Sequence, residues 1–118
     1  SNTGLEFRVS YLFLGIYRRW NLCYNCSMQE KIRQELRFIG QVQGVGFRYT
    51  ACKGANMLGL TGWVFNDYDG SVLMQVQGYP DSINQLIQIL NQGTFINIER
   101  IECENIEVDE LERIFRVR

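Results

Sequence analysis

Apolar residues alternate with polar ones over residues 31–43, where Ile32, Leu36, Phe38 and Val42 share one parity. A period of two is that of a strand with one covered face. Gly44, Val45 and Gly46 interrupt it, and from Phe47 the period changes. Phe47, Ala51, Ala55 and Leu58 recur at helical spacing and form a single stripe. Gly59 stands where a left-handed C-terminal cap belongs. Gly54 inside this helix disfavours it by about 1 kcal/mol against alanine, so close packing is expected there. Residues 60–66 read as a second strand and 67–70 as a turn, with Asp69-Gly70 the strongest hairpin signal. Val72, Met74 and Val76 alternate along a third strand. Pro80, Asp81 and Ser82 open a second helix, through a first-turn proline or a side-chain cap. Its buried stripe is Ile83, Leu86, Ile87 and Leu90, and Gly93 marks its end. An extended stretch over 94–108 follows, and its apolar phase slips between Ile98 and Ile101, which predicts a bulge. Residues 114–117 make a short closing edge strand.

Strand, helix, strand, strand, helix, strand is the order of an α+β, ferredoxin-like split βαβ (βαββαβ) sandwich. That arrangement is an antiparallel sheet with two helices on one face. It hosts many unrelated functions and selects none. Residues 1–27 show neither period and are rich in aromatics. They read as an N-terminal extension of unknown function, with Met28 as a natural start and 28–118 as the domain. The extension's aromatic surface suits packing on the domain or on another copy. The rest of the chain is expected to be monomeric.

The 118 residues amount to one domain, able to bury roughly two-thirds of the unfolded surface. With 46% apolar and 21% charged residues, disorder of the bulk is not expected. Zero histidines exclude serine–histidine and cysteine–histidine triads, HExxH metal sites and histidine proton shuttles. Twelve basic against 13 acidic residues leave no electrostatic footprint for nucleic acid and no polybasic run for a membrane surface. No apolar run approaches the roughly 18–20 residues that span a bilayer. The run at 9–17 has the length of a signal-peptide core, but Arg18 and Arg19 follow it directly without a cleavage site, so no secretory signal is expected. Cys23 and Cys26 form a CxxC, which is half a zinc site. Only Cys52 and Cys103 are left to complete it, and neither sits beside a second ligand. Reduced thiols of a cytoplasmic protein are therefore expected, with no metal and no cofactor. Asn25-Cys26-Ser27 fits a glycosylation sequon, which matters only in the secretory pathway.

The segment that carries chemistry is 40–48, Gly-Gln-Val-Gln-Gly-Val-Gly-Phe-Arg. It joins a strand end to a helix start. Its glycines let the backbone turn and expose amides, and the helix start adds unpaired N–H groups with partial positive charge. Such a concavity suits phosphate, and Arg48 in the first turn adds a bidentate cation. It is neither a Walker loop nor a dinucleotide fingerprint: no Gly-Lys-Ser/Thr follows, and Tyr49 stands where a third glycine would be. The second segment is 62–66, Gly-Trp-Val-Phe-Asn, with Asn66 at a strand end where its amide can orient a water. Spacing along the chain does not fix how far Asn66 lies from the loop. Trp63 and Phe65 are expected to pack on the sheet, and Tyr49 and Lys53 suit exposed helix positions.

These two segments, in this order, resemble the GxVQGVxFR and GWVxN signatures of acylphosphatases, and the likeness runs over about 31–118. The resemblance implies hydrolysis of the carboxyl–phosphate bond of small-molecule acyl phosphates. It implies that Gln43, Gly44, Val45, Gly46 and Phe47 form the phosphate-binding loop, that Arg48 binds the phosphoryl group and that Asn66 positions the attacking water. The alternative is a non-catalytic phosphate- or protein-binding regulatory module on the same fold. Similar domains also stand at the N-terminus of larger hydrogenase-maturation proteins, ahead of zinc-finger segments.

Overall fold

The computed structural model describes residues 29–118 and, as backbone, a strand at Glu6–Val9. The elements are β1 Glu6–Val9, β2 Ile32–Gln41, α1 Phe47–Met57, β3 Thr61–Asn66, β4 Val72–Gly78, α2 Pro80–Asn91, β5 Asn97–Ile106 and β6 Phe115–Val117. They form one sheet in the order β1-β5-β2-β4-β3-β6. Each neighbouring pair among the four inner strands is antiparallel, as the ferredoxin-like order requires. The two outer strands pair in parallel, β1 with β5 and β6 with β3, so the full sheet is mixed.

The segment containing β1 shows no legible period. A strand added to an open edge is held by main-chain bonds, and these need no alternation of side chains. The other residues of 1–28, including Cys23, Cys26, the 25–27 sequon and most of the 9–17 run, lie outside the described residues.

Parity divides the sheet into two faces. Leu36 and Phe38 on β2, Val72, Met74 and Val76 on β4, Val64 on β3 and Ile101 on β5 are all buried on one face. Phe47, Ala51 and Ala55 of α1 and Ile83, Leu86, Ile87 and Leu90 of α2 complete the same core. The helices touch each other at Gly54, where a Cβ would come within 2.9 Å of Leu86 Cδ1. The cost of a glycine in a helix is thus offset by interhelical contact.

Helix α1 stops at Gly59, whose φ is 71°. Leu60 N–H donates to Ala55 O at 2.9 Å and Gly59 N–H to Asn56 O at 3.4 Å, the two bonds of a Schellman cap. Helix α2 opens on Pro80 without a side-chain cap. The bulge lies where the apolar phase slips: Ile39 faces Arg100 while Gly40 faces Ile98, which makes Glu99 the extra residue. Strand β2 ends at Gln41 rather than 43, because Gln41 against Asn97 is the last pair of the β2–β5 ladder.

Candidate active site

Residues 42–46 link β2 to α1 between two buried anchors. Val42 is in the core, and the Phe47 ring meets that of Phe38 at a centroid distance of 4.9 Å. Between them Gly44 (φ 73°) and Gly46 (φ 81°) are left-handed. A Cβ at either would meet open space, so conformation and not crowding demands glycine there. Gly46 is the N-cap of α1, with no side-chain cap and no acidic residue in the first turn. Among the described residues, the positive end of the helix and its first N–H groups are therefore left without a capping or first-turn acidic partner. Val45 packs partly against the core, which fixes the loop from beneath. Arg48 is exposed and has no carboxylate partner among the described residues. Arg33 and Arg100 each have one, and Arg37 has two.

Strands β2 and β3 are both antiparallel to β4, so they run in the same direction and end at the same end of the sheet. Phe38 and Asn66 face the same β4 residue, Val72. Asn66 shares parity with buried Gly62 and Val64, which puts it on the face covered by α1. The loop and the β3–β4 turn are tied directly. Gln43 Nε2 donates to Asp67 O at 2.7 Å and to Ser71 O at 2.9 Å. Arg48 and Asn66 are thus gathered at one end of one face. The Asn66 Oδ1 atom is buried and has no hydrogen-bond partner among the described residues. A buried acceptor left open is costly unless something fills it, so the geometry suits a donor from outside the chain.

Trp63 and Phe65 lie on the opposite face, where the Arg118 guanidinium stands 4.4 Å from the Trp63 ring centroid. Tyr49 is exposed beside Arg48, with Lys53 Nζ 6.0 Å from its ring centroid. The sequence marks Gln43 as a loop amide, and no local signal announces the tie made by its side chain. Nor does any local signal announce the grip of Arg37 on the β3–β4 turn. Arg37 Nη1 contacts Asp67 Oδ2 at 2.8 Å, Ser71 Oγ at 2.6 Å and Asp69 Oδ2 at 3.3 Å. The Asp67 hydrogen bond raises the Arg37 pKa further above its ordinary value. Hydrogen bonds from Ser71 hold the Asp69 carboxyl below the usual aspartate value.

The family model for acylphosphatase matches residues 34–117. This chain belongs to the acylphosphatase family. It is 41% identical to an acylphosphatase of Clostridium perfringens over 85 residues, 71% of this chain and 96% of that protein. Its fold superposes on an acylphosphatase from Coxiella burnetii with a TM-score of 0.68 and 34% identity, over 75% of this chain and 93% of that one. Full-length HypF, in a phosphate- and nucleotide-bound form, is similar at a TM-score of 0.69 and 25% identity, over 77% of this chain and 12% of that one.

Proposed function

We propose that this acylphosphatase-family protein hydrolyses acyl phosphates, with the 43–48 segment as phosphate cradle and Asn66 as the group that positions water. The observation that carries the reading is the uncapped start of α1, set behind two left-handed glycines and beside an unpaired Arg48. Backbone amides of Gln43, Gly44, Val45, Gly46 and Phe47 supply donors to the phosphoryl oxygens, and Arg48 supplies charge. Phosphoryl transfer gathers charge on the equatorial oxygens, which is where such donors act. Asn66 Oδ1 accepts a hydrogen from the incoming water and aims its lone pair at phosphorus. The water oxygen bonds to phosphorus, the bond from phosphorus to the acyl oxygen breaks, and a carboxylate leaves. The phosphoryl oxygens take up the water's proton. A carboxylate is a good leaving group, so a chain without histidine lacks nothing the reaction needs.

The same reading takes the protein as a cytoplasmic monomer acting on a small molecule. Supporting it, the described cysteines, Cys52 and Cys103, are unpaired. No helix among the described residues is long and apolar enough to cross a membrane. Residues 1–27 are read as an extension outside the catalytic unit, with self-association as their alternative use. A binding module without turnover has no need of Asn66 at the turn, which favours the enzyme.

The test is benzoyl phosphate hydrolysis followed by absorbance in the presence of a chelator. The wild type is expected to turn over, Arg48→Ala to lose at least about a hundredfold in rate, and Asn66→Ala to lose turnover while inorganic phosphate still competes. A wild type that binds phosphate without hydrolysis would establish the module instead.

A further inference from the structure

On the sheet face away from the helices, Arg37, Ile39, Gly40, Asp69, Gly70, Ser71, Arg100 and Glu102 line an open cleft of about 500 Å³. Its charged side chains are already matched, Arg37 with Asp69 and Arg100 with Glu102, so no surplus charge is left for a ligand. What these pairs do lies in the turn they grip.

We infer that Arg37 is a positioning residue for hydrolysis: from the outer face it holds Asp67, and so keeps the preceding Asn66 aimed at the phosphate cradle. The inference rests on the function proposed above. Asp67 follows Asn66 directly and is held on every polar group its backbone and side chain offer. Its N–H donates to Ser71 O at 2.9 Å. Its carbonyl accepts from Gln43 Nε2 at 2.7 Å. One carboxylate oxygen accepts from Tyr68 N–H at 2.7 Å, and the other from Arg37 at 2.8 Å. Gln43 pulls from the cradle loop and Arg37 from the opposite face of the sheet, so the residue beside Asn66 is clamped between them.

Arg37 Nη1 has only two hydrogens. The short contacts to Asp67 and Ser71 are its hydrogen bonds, and Asp69 at 3.3 Å contributes mainly charge. Ser71 Oγ in turn donates to Asp69 Oδ1, and Ser71 N–H donates to the same oxygen at 2.9 Å. The turn is therefore one network with Arg37 at its centre. Arg37 and Asp67 side chains remain 28% and 27% exposed, and ion pairs so exposed add little to global stability. Their effect is on geometry, and a misplacement of about 1 Å near reacting groups can cost on the order of a hundredfold in rate.

The experiment compares wild type, Arg37→Gln, Arg37→Lys, Asp67→Asn and the Arg37→Gln/Asp67→Asn double variant, well below their melting temperatures. Arg37→Gln is expected to lower kcat by about tenfold to a hundredfold. KM for benzoyl phosphate and Ki for inorganic phosphate should change by less than about threefold, because the cradle is untouched. Arg37→Lys keeps the charge and one donor and should recover part of the loss. The double variant should be no slower than the slower single, since both break one link. A readout independent of turnover is the side-chain amide signal of Asn66 in nitrogen-15 NMR. It should be a sharp pair in the wild type and broadened or averaged in Arg37→Gln. An unchanged kcat, an equal rise of KM and Ki, or an Asn66 signal identical in both proteins overturns the inference. A wild type inert toward benzoyl phosphate defeats the proposed function alone, and the Asn66 signal then decides the clamp.

Discussion

Arg48 and Asn66 depend on their neighbours in different ways. Arg48 needs only to be left unpaired at a helix start, and local sequence secures that: no acidic residue follows in the first turn. Its candidacy is therefore legible in the chain. Asn66 depends on residues far away, on Gln43 through Asp67 and on Arg37 through the same residue. In sequence Arg37 is an ordinary polar position of an alternating strand, and its partners lie 30 and 34 residues on. No local signal marks it. Cys103 is a buried thiol with no part in the proposed chemistry. Burial, with Glu104 nearby, pushes its pKa up to about 12. Because the folded value lies above the unfolded one, the folded state holds the proton more tightly. The stability this gives is complete below about pH 9 and is lost as pH climbs toward 12. Iodoacetamide at pH 8 should therefore leave Cys103 unmodified in the native protein and label it in denaturant, as read by peptide mass spectrometry. Native-state labelling at the denatured rate would contradict its burial.

Among elements, the boundaries set by local chemistry were readable and those set by pairing were not. The Schellman cap at Gly59, the proline start at Pro80 and the bulge near Ile98 follow from single residues or from a slip in parity. The ends of β2 and β5 follow from where the two strands stop facing each other, which neither sequence contains alone. β1 is the extreme case, being defined only by the edge it joins. Packing between helices was half visible. Gly54 announced a close approach, and the fold supplies Leu86 as the neighbour, with Ile89 Cδ1 at 3.7 Å from the same Cβ position. Gly54→Val should destabilise the protein by about 1–3 kcal/mol in chemical denaturation, because overpacking outweighs the roughly 1 kcal/mol penalty of helical glycine. A stabilised variant would show that the helices separate freely.

At the scale of the whole molecule, the cradle, the β3–β4 turn and the core all lie within residues 32–115, and the family match covers residues 34–117. Nothing in the proposed chemistry draws on residues 1–27. Their removal should leave kcat/KM for benzoyl phosphate within about twofold, with circular dichroism unchanged apart from a small loss of strand signal. A truncated protein that stays folded yet inactive would make the extension part of the site. The edge of β5 that β1 covers would then be open, which makes sedimentation of the shortened protein an informative companion measurement.

The chain's own order of residues determined the succession of strands and helices, the glycine-rich turn at 43–48 proposed as the phosphate cradle, and the family to which it belongs. Periodicity, glycine placement and a missing acidic cap are local properties, and they are written within single segments of the chain. Tertiary structure alone decided that Asn66 shares a face and an end of the sheet with that loop, and that Gln43 and Arg37 lock the turn between them. Those relations require β4 to lie between β2 and β3, and strand order is set by the burial of a common core.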